Sequence, residues 1–144
     1  MLDKKDLLLY AVTDRKCIGS RDFYETIENA LKGGVTILQL REKELSESQL
    51  VEEAVKVKDI CRRYNVPLII NDNYSAALKA GADGVHVGIE DAPVAEIRRI
   101  CGKNFIIGAT AKTVAQARQA EADGADYLGV GAVFPSPTKT NARS

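Results

Sequence analysis

A chain of 144 residues, 45% hydrophobic and 28% charged, is long enough for one domain with a real core and too apolar for disorder. Lys plus Arg and Asp plus Glu both number 20, so the formal net charge is zero and the composition points to neither nucleic acid nor a membrane surface as a partner. Cys17, Cys61 and Cys101 lie about forty residues apart with no Cys-x-x-Cys pair, which argues against a zinc site and a disulfide framework alike. The apolar run that follows Met1-Leu2-Asp3-Lys4-Lys5-Asp6 is too short, and too acidic at its start, for a signal peptide or membrane span. A cytoplasmic enzyme is the expectation.

Short apolar runs at 7–13, 35–40, 67–70, 84–87, 105–109 and 127–130 read as buried strands. Longer amphipathic stretches between them read as helices. One opens with a capping box, Ser46 with Gln49, and then sets Leu50, Ala54, Val57 and Cys61 along one face. Thr113 with Gln116 repeats that signal. Gly33-Gly34-Val35, Gly81-Ala82-Asp83 and Gly124-Ala125-Asp126 form an internal repeat, each leading from a helix into a strand, where glycine can take a left-handed cap. Strict alternation implies a parallel sheet, since parallel neighbours need a crossover that a helix supplies. An open doubly wound sheet and a barrel both satisfy that pattern. No strand opens into Gly-x-Gly-x-x-Gly, and polar residues cluster after at least five strands, so the barrel is favoured. A full barrel has eight units and about 250 residues. The expected fold is therefore an α/β, (βα)8 TIM barrel, incomplete, with about six of eight units present in a single domain over 1–144.

Alternation along the second strand puts Ile37, Gln39 and Arg41 on one face and Leu38 and Leu40 on the other, with Lys43 extending the first set. A guanidinium on the inner face of a barrel strand belongs at the mouth, where a ligand charge can pair with it. Arg suits bidentate phosphate binding and Lys adds a point charge, so a diphosphate would satisfy both. The ordinary alternative is a surface Arg and Lys beyond a strand end. Asn71-Asp72-Asn73 follows the third strand and Asp91 the fourth; such residues often only cap the next helix. Beside two cations, however, Asp72 and Asp91 could share one Mg²⁺ with a diphosphate. Ser136, Pro137, Thr138 and Lys139, in a stiff two-proline loop, make a candidate phosphate clamp, against which stands a frayed tail. Thr110, just beyond strand five, and His86, the only histidine, are further candidates, His86 being as readily a packed or supporting residue.

Taken in order, Gln39-Leu40-Arg41-Glu42-Lys43, Asn71-Asp72, residues 83–88 (Asp-Gly-Val-His-Val-Gly) with Asp91, and 129–139 (Gly-Val-Gly-Ala-Val-Phe-Pro-Ser-Pro-Thr-Lys) resemble the thiamine-phosphate synthase family, over residues 9 to 139. The resemblance implies a transferase that joins a hydroxymethylpyrimidine diphosphate to a thiazole phosphate, releasing diphosphate and giving thiamine phosphate. It implies that Gln39, Leu40, Arg41, Glu42, Lys43, Asn71, Thr110 and Lys139 contact the pyrimidine diphosphate, with Arg41, Lys43 and Lys139 serving the chemistry. By the same resemblance Asp72 and Asp91 hold Mg²⁺, and Ser136, Pro137 and Thr138 meet the thiazole phosphate. The family's reaction is dissociative, and the residues agree with it: no nucleophile-base pair is evident, while cations and a metal site lie where leaving-group charge develops.

Thr110 and Ser136 stand where the family often has Ser and Thr, exchanges that keep the hydroxyl. The family's last third, with its glycine-rich phosphate turn and serine motif, lies outside the 144 residues, so the chain by itself is expected to be inactive or nearly so. An open barrel also exposes sheet edges that favour association, which leaves room for a homo-oligomer. A thiazole tautomerase-like barrel is a rival reading, against which Arg41, Lys43, Asp72 and Asp91 together speak. A non-catalytic phosphate-ligand module is another.

Overall fold

The computed structural model describes residues 1–135 of the chain. After a 3-10 turn, Lys4–Leu7, the elements run β1 (Tyr10–Val12), α1 (Arg15–Ile18), α2 (Phe23–Lys32), β2 (Ile37–Leu40), α3 (Glu47–Arg63) and β3 (Leu68–Asn71). They continue with α4 (Tyr74–Ala80), β4 (Gly84–Val87), α5 (Val94–Cys101), β5 (Ile106–Ala111), α6 (Val114–Ala122) and β6 (Tyr127–Val130). All five strand pairings are parallel and follow chain order, β1 to β6. The result is a curled half-barrel of six parallel strands, with helices between them.

Two expected strands shift for identifiable reasons. The run at 7–13 is strand only from Tyr10, because Asp3 caps the preceding turn: its carboxylate accepts from Lys5 N–H while Asp6 accepts from Asp3 N–H. β5 extends past 109, so Thr110 lies within the strand, paired in register with Gly129 rather than beyond its end. The Ser46 capping box forms as read. Thr113 caps α6, but Gln116 reaches back to Lys112 N–H instead of closing the box on Thr113.

The sheet divides its side chains between two apolar layers. Leu38, Leu40, Leu68, Ile70, Val85 and Ile107 pack outward against Leu50, Ala54, Val57, Cys61 and Ile97 of the helices. Each fully buried Leu or Ile contributes about 1.5–3 kcal/mol relative to exposure. Inside, Ile37, Ile69 and Ile106 form a smaller cluster with Leu2, Tyr10 and Tyr127. Alternation continues up each strand, so the polar residues above that layer face the barrel mouth. β1 and β6 are the sheet's edges, and the outer-face residues Leu128 and Val130 of β6 are exposed.

The internal repeat has a structural purpose, and its frame is one residue later in its first copy than the glycines suggest. Gly34, Gly81 and Gly124 take positive φ, of 108°, 66° and 98°. Two residues on, Thr36, Asp83 and Asp126 turn a side-chain oxygen onto the backbone N–H of Leu9, Leu68 and Ile107 respectively. Asp83 also pairs with Lys58 of α3 and Asp126 with Arg98 of α5. Each corner thus ties a strand start to the chain entering the next strand, at the end of the barrel where residues serve stability. Among the described residues no helix is long and apolar enough to cross a membrane.

Candidate active site

At the carboxyl ends of the strands Gln39, Arg41, Lys43, Asn71, Asp72, Asp91 and Thr110 line one cleft of about 420 Å³. β2 supplies Gln39 and the loop after it Arg41 and Lys43; β3 supplies Asn71 and the loop after it Asp72; the loop after β4 supplies Asp91, and β5 supplies Thr110. Arg41 is half-buried, its backbone N–H held by the Thr13 hydroxyl at 3.0 Å. Its guanidinium pairs with no carboxylate among the described residues. A half-buried cation in that state is a receptor for an anion. A larger hollow of about 590 Å³ lies at the opposite end of the strands. Its cations are already neutralised, Lys58 by Asp83 and Arg62 by Asp59, so it lacks the unpaired charge of the mouth.

Helix capping, the ordinary role for the polar residues at the end of β3, falls to Asn73 alone, which accepts from Ala76 N–H at 2.8 Å. Asp72 is left to face the cleft, pairing with Lys43 at 2.5 Å. Its backbone sits in the left-handed region at φ 64°, fixed by an N–H bond to the His86 carbonyl. Asp tolerates that conformation better than most residues, and such strain gathers at functional sites. Asp91 is likewise released from capping: Pro93 is the N-cap of α5, and the Asp91 carboxylate turns back onto Gly88 N–H at 2.6 Å. Burial pushes the Asp91 pKa up, and the adjacent Asp72 carboxylate, close enough to hydrogen-bond it, pushes it further. The repulsion that the neighbouring Asp72 carboxylate exerts on Asp91 is one that a shared cation would relieve. The donor set fits Mg²⁺, which commonly takes one or two carboxylates and completes its shell with water and phosphate oxygens. It does not fit a dedicated protein cage, for no group of three or more His, Cys, Asp or Glu ligands occurs among the described residues.

Behind the charges runs a hydrogen-bonded chain. Asn71 donates to Gln39 at 3.0 Å and Gln39 to Tyr10 at 2.8 Å. Tyr10 and Tyr127 hydroxyls meet at 2.6 Å; Tyr127 meets His86 Nδ1 at 3.1 Å, and His86 Nε2 meets Thr110 at 3.0 Å. Burial pushes both tyrosine pKa values up, so both hydroxyls keep their protons.

A family model described as thiamine monophosphate synthase matches residues 9–144. The chain belongs to that family. It is 51% identical over 137 residues to the thiamine-phosphate synthase of Caldanaerobacter subterraneus subsp. tengcongensis, covering 95% of the chain and 64% of that protein. With the thiamine-phosphate synthase of Clostridium acetobutylicum the identity is 50% over 139 residues, covering 96% and 66% respectively. The solved structure of thiamine phosphate pyrophosphorylase from Pyrococcus furiosus superposes with a TM-score of 0.83 at 37% identity, over 91% of this chain and 63% of that one. The chain thus spans just under two thirds of the length of these relatives.

Not every residue singled out in the sequence lines the cleft. Leu40 is fully buried in the helix-side core, where alternation sends it, and does not line the cleft. Glu42 turns away to pair with Arg15, which also holds the buried Glu53 of α3, clamping the loop after β2 from outside. Ser136, Pro137, Thr138 and Lys139 lie outside the described residues. In the other direction, Gly88, Ile89, Glu90 and Lys112 join the lining of the cleft beside the candidate His86, and Tyr10 and Tyr127 support it from within the barrel. The period of two places Tyr10 and Tyr127 inside, but no local signal marks them as polar partners.

Proposed function

We propose that the protein works as a transferase of thiamine biosynthesis, condensing 4-amino-2-methyl-5-(diphosphooxymethyl)pyrimidine with a thiazole phosphate to give thiamine phosphate and diphosphate. The observation that carries this reading is one cleft holding Arg41, without an ion-pair partner among the described residues, and the Lys43–Asp72 pair beside the Asp91 carboxylate, in a member of the family. Arg41 and Lys43 would grip the diphosphate, Arg41 as a planar fork and Lys43 as a point charge that can leave Asp72 for a phosphate oxygen. Asp72 and Asp91 would hold Mg²⁺, which when bound neutralises charge on the departing diphosphate. Gln39, Asn71 and Thr110 would orient the pyrimidine.

The carbon–oxygen bond to diphosphate breaks with its electron pair leaving on oxygen, and the thiazole nitrogen supplies the pair for the new carbon–nitrogen bond. The protein's own work is to position the partners and stabilise the leaving charge, a role that needs no nucleophile. Ser136, Pro137, Thr138 and Lys139 are the proposed contacts at the thiazole phosphate and the leaving group. The unit doing this is proposed to be a single barrel domain in the cytoplasm.

Titration calorimetry of the purified chain with the pyrimidine diphosphate tests the reading. Binding that appears with Mg²⁺ and vanishes with a chelator supports it. Binding indifferent to Mg²⁺, or none, overturns it.

A further inference from the structure

Six side chains, one from each strand, make the unbroken chain Asn71, Gln39, Tyr10, Tyr127, His86, Thr110 across the mouth. The two phenols, the threonine hydroxyl and an imidazole in its neutral form each carry one movable proton, so with His86 neutral the run can be polarised in only two ways. Gln39 Nε2 donates to the Tyr10 oxygen, so the Tyr10 proton passes to Tyr127. The Tyr127 proton then points at His86 Nδ1, which must be bare. The imidazole proton sits on Nε2 and is donated to Thr110 Oγ1, which leaves the Thr110 proton to be offered elsewhere. At the far end Asn71 Oδ1 is buried with no partner among the described residues. The reverse polarity would turn both amides over and strand a buried Asn71 N–H instead, and proteins tolerate an orphaned N–H less readily than an orphaned C=O.

We propose that Tyr127 and His86 are positioning residues that polarise this chain, so that Asn71 presents a bare acceptor and Thr110 a free donor to the ring of the bound pyrimidine. The inference rests on the function proposed above and extends it to specificity. An amino-substituted pyrimidine answers both demands, with an exocyclic N–H for Asn71 Oδ1 and a ring nitrogen for the Thr110 hydroxyl. A ring with oxygen in place of the amino group would set an acceptor against an acceptor, the kind of buried mismatch by which sites reject close analogues.

Because His86 is the only histidine of the 144 residues, nitrogen-proton correlation spectra of the histidine-labelled chain report its tautomer without ambiguity and need no variant. The expected form is Nε2–H. A proton on Nδ1, or a mixture, overturns the proposal. Tyr127→Phe keeps the ring and deletes the link. It is expected to mix the tautomers and to weaken the pyrimidine diphosphate about tenfold, while Mg²⁺-dependent binding of inorganic diphosphate holds. An equal loss for both ligands would make Tyr127 merely structural and overturn its positioning role. If the unsubstituted chain binds inorganic diphosphate as tightly as the pyrimidine diphosphate, the function reading fails, and the assignment of the ring fails with it. The wrong tautomer with intact pyrimidine binding defeats this inference alone.

Discussion

Gly108 stands in register between His86 of β4 and Tyr127 of β6, and its missing side chain is what lets those two meet. A Cβ placed there would lie 2.1 Å from Tyr127 Cζ, 2.3 Å from its hydroxyl oxygen and 2.6 Å from His86 Nδ1. Ordinary contact begins at 3.4 Å, so the phenol must retreat by about 1.3 Å. That movement breaks the hydrogen bonds of Tyr127 to His86 and Tyr10, each worth about 0.5–1.5 kcal/mol. Overpacking itself costs about 1–3 kcal/mol. Against these, Gly→Ala within a strand returns about 0.5–1 kcal/mol of backbone entropy. The steric effect wins, leaving Gly108→Ala less stable by about 3 kcal/mol. For a chain of this length that is a fall in Tm of about 10 °C. Urea and thermal melts followed by circular dichroism measure it, with His86 resonances reporting the displaced ring. An unchanged or raised Tm would refute the close packing of Tyr127 on β5.

Other substitutions separate chemistry from scaffold. Asp72→Asn should abolish Mg²⁺-dependent binding of the pyrimidine diphosphate while leaving the melting curve nearly unchanged. Asn also accepts the left-handed backbone, and the part-exposed Lys43 pair is worth at most about 1 kcal/mol; calorimetry and a melt check the two halves. Arg41→Lys should weaken diphosphate binding about tenfold, because the ammonium gives up the bidentate fork, and the same titration reads it. Asp126→Ala should cost about 1–3 kcal/mol by stranding the Ile107 N–H, while Arg98 keeps its bonds to the Gly102, Phe105 and Gly124 carbonyls, with faster hydrogen exchange at Ile107 as its local signature. In thiol titration at pH 8, exposed Cys17 should react first. Cys61, whose thiol burial pushes up to about 12, should react only in denaturant; prompt reaction of all three would contradict the packing of α3.

The fold could be read because parallel strands are short, nearly continuous apolar runs, and those at 84–87 and 127–130 match β4 and β6 residue for residue, although the edge strand β6 is not buried as expected. The misreadings were local contests. At the N-terminus a capping turn took residues the strand pattern claimed, and in the repeat Thr36, not a glycine neighbour, held the position of the two aspartates. The charged half of the site was readable because cations and carboxylates after inward-facing strand ends have few other uses. Which of Asp72, Asn73 and Asp91 caps a helix was not, since capping depends on where the helix starts. Nor was the pairing of Tyr10 with Tyr127, partners 117 residues apart that resemble core aromatics in every local respect. Arg15, whose ion pairs fix the back of the cation loop, left no signal at a distance of 27 and 38 residues.

The corner carboxylates of Asp83 and Asp126 have a reach beyond their own end of the barrel. Asp83 takes its strand-start N–H at 2.7 Å and Asp126 at 2.8 Å, and a slip of one residue would carry either acceptor past its donor. Such a slip would also turn every side chain of the strand to the opposite face, moving His86 or Thr110 from the mouth into the helix layer. The corners therefore act as alignment pins. Chemistry at the top of the sheet is aimed from the bottom, so a mutation there can misdirect the cleft without touching a ligand.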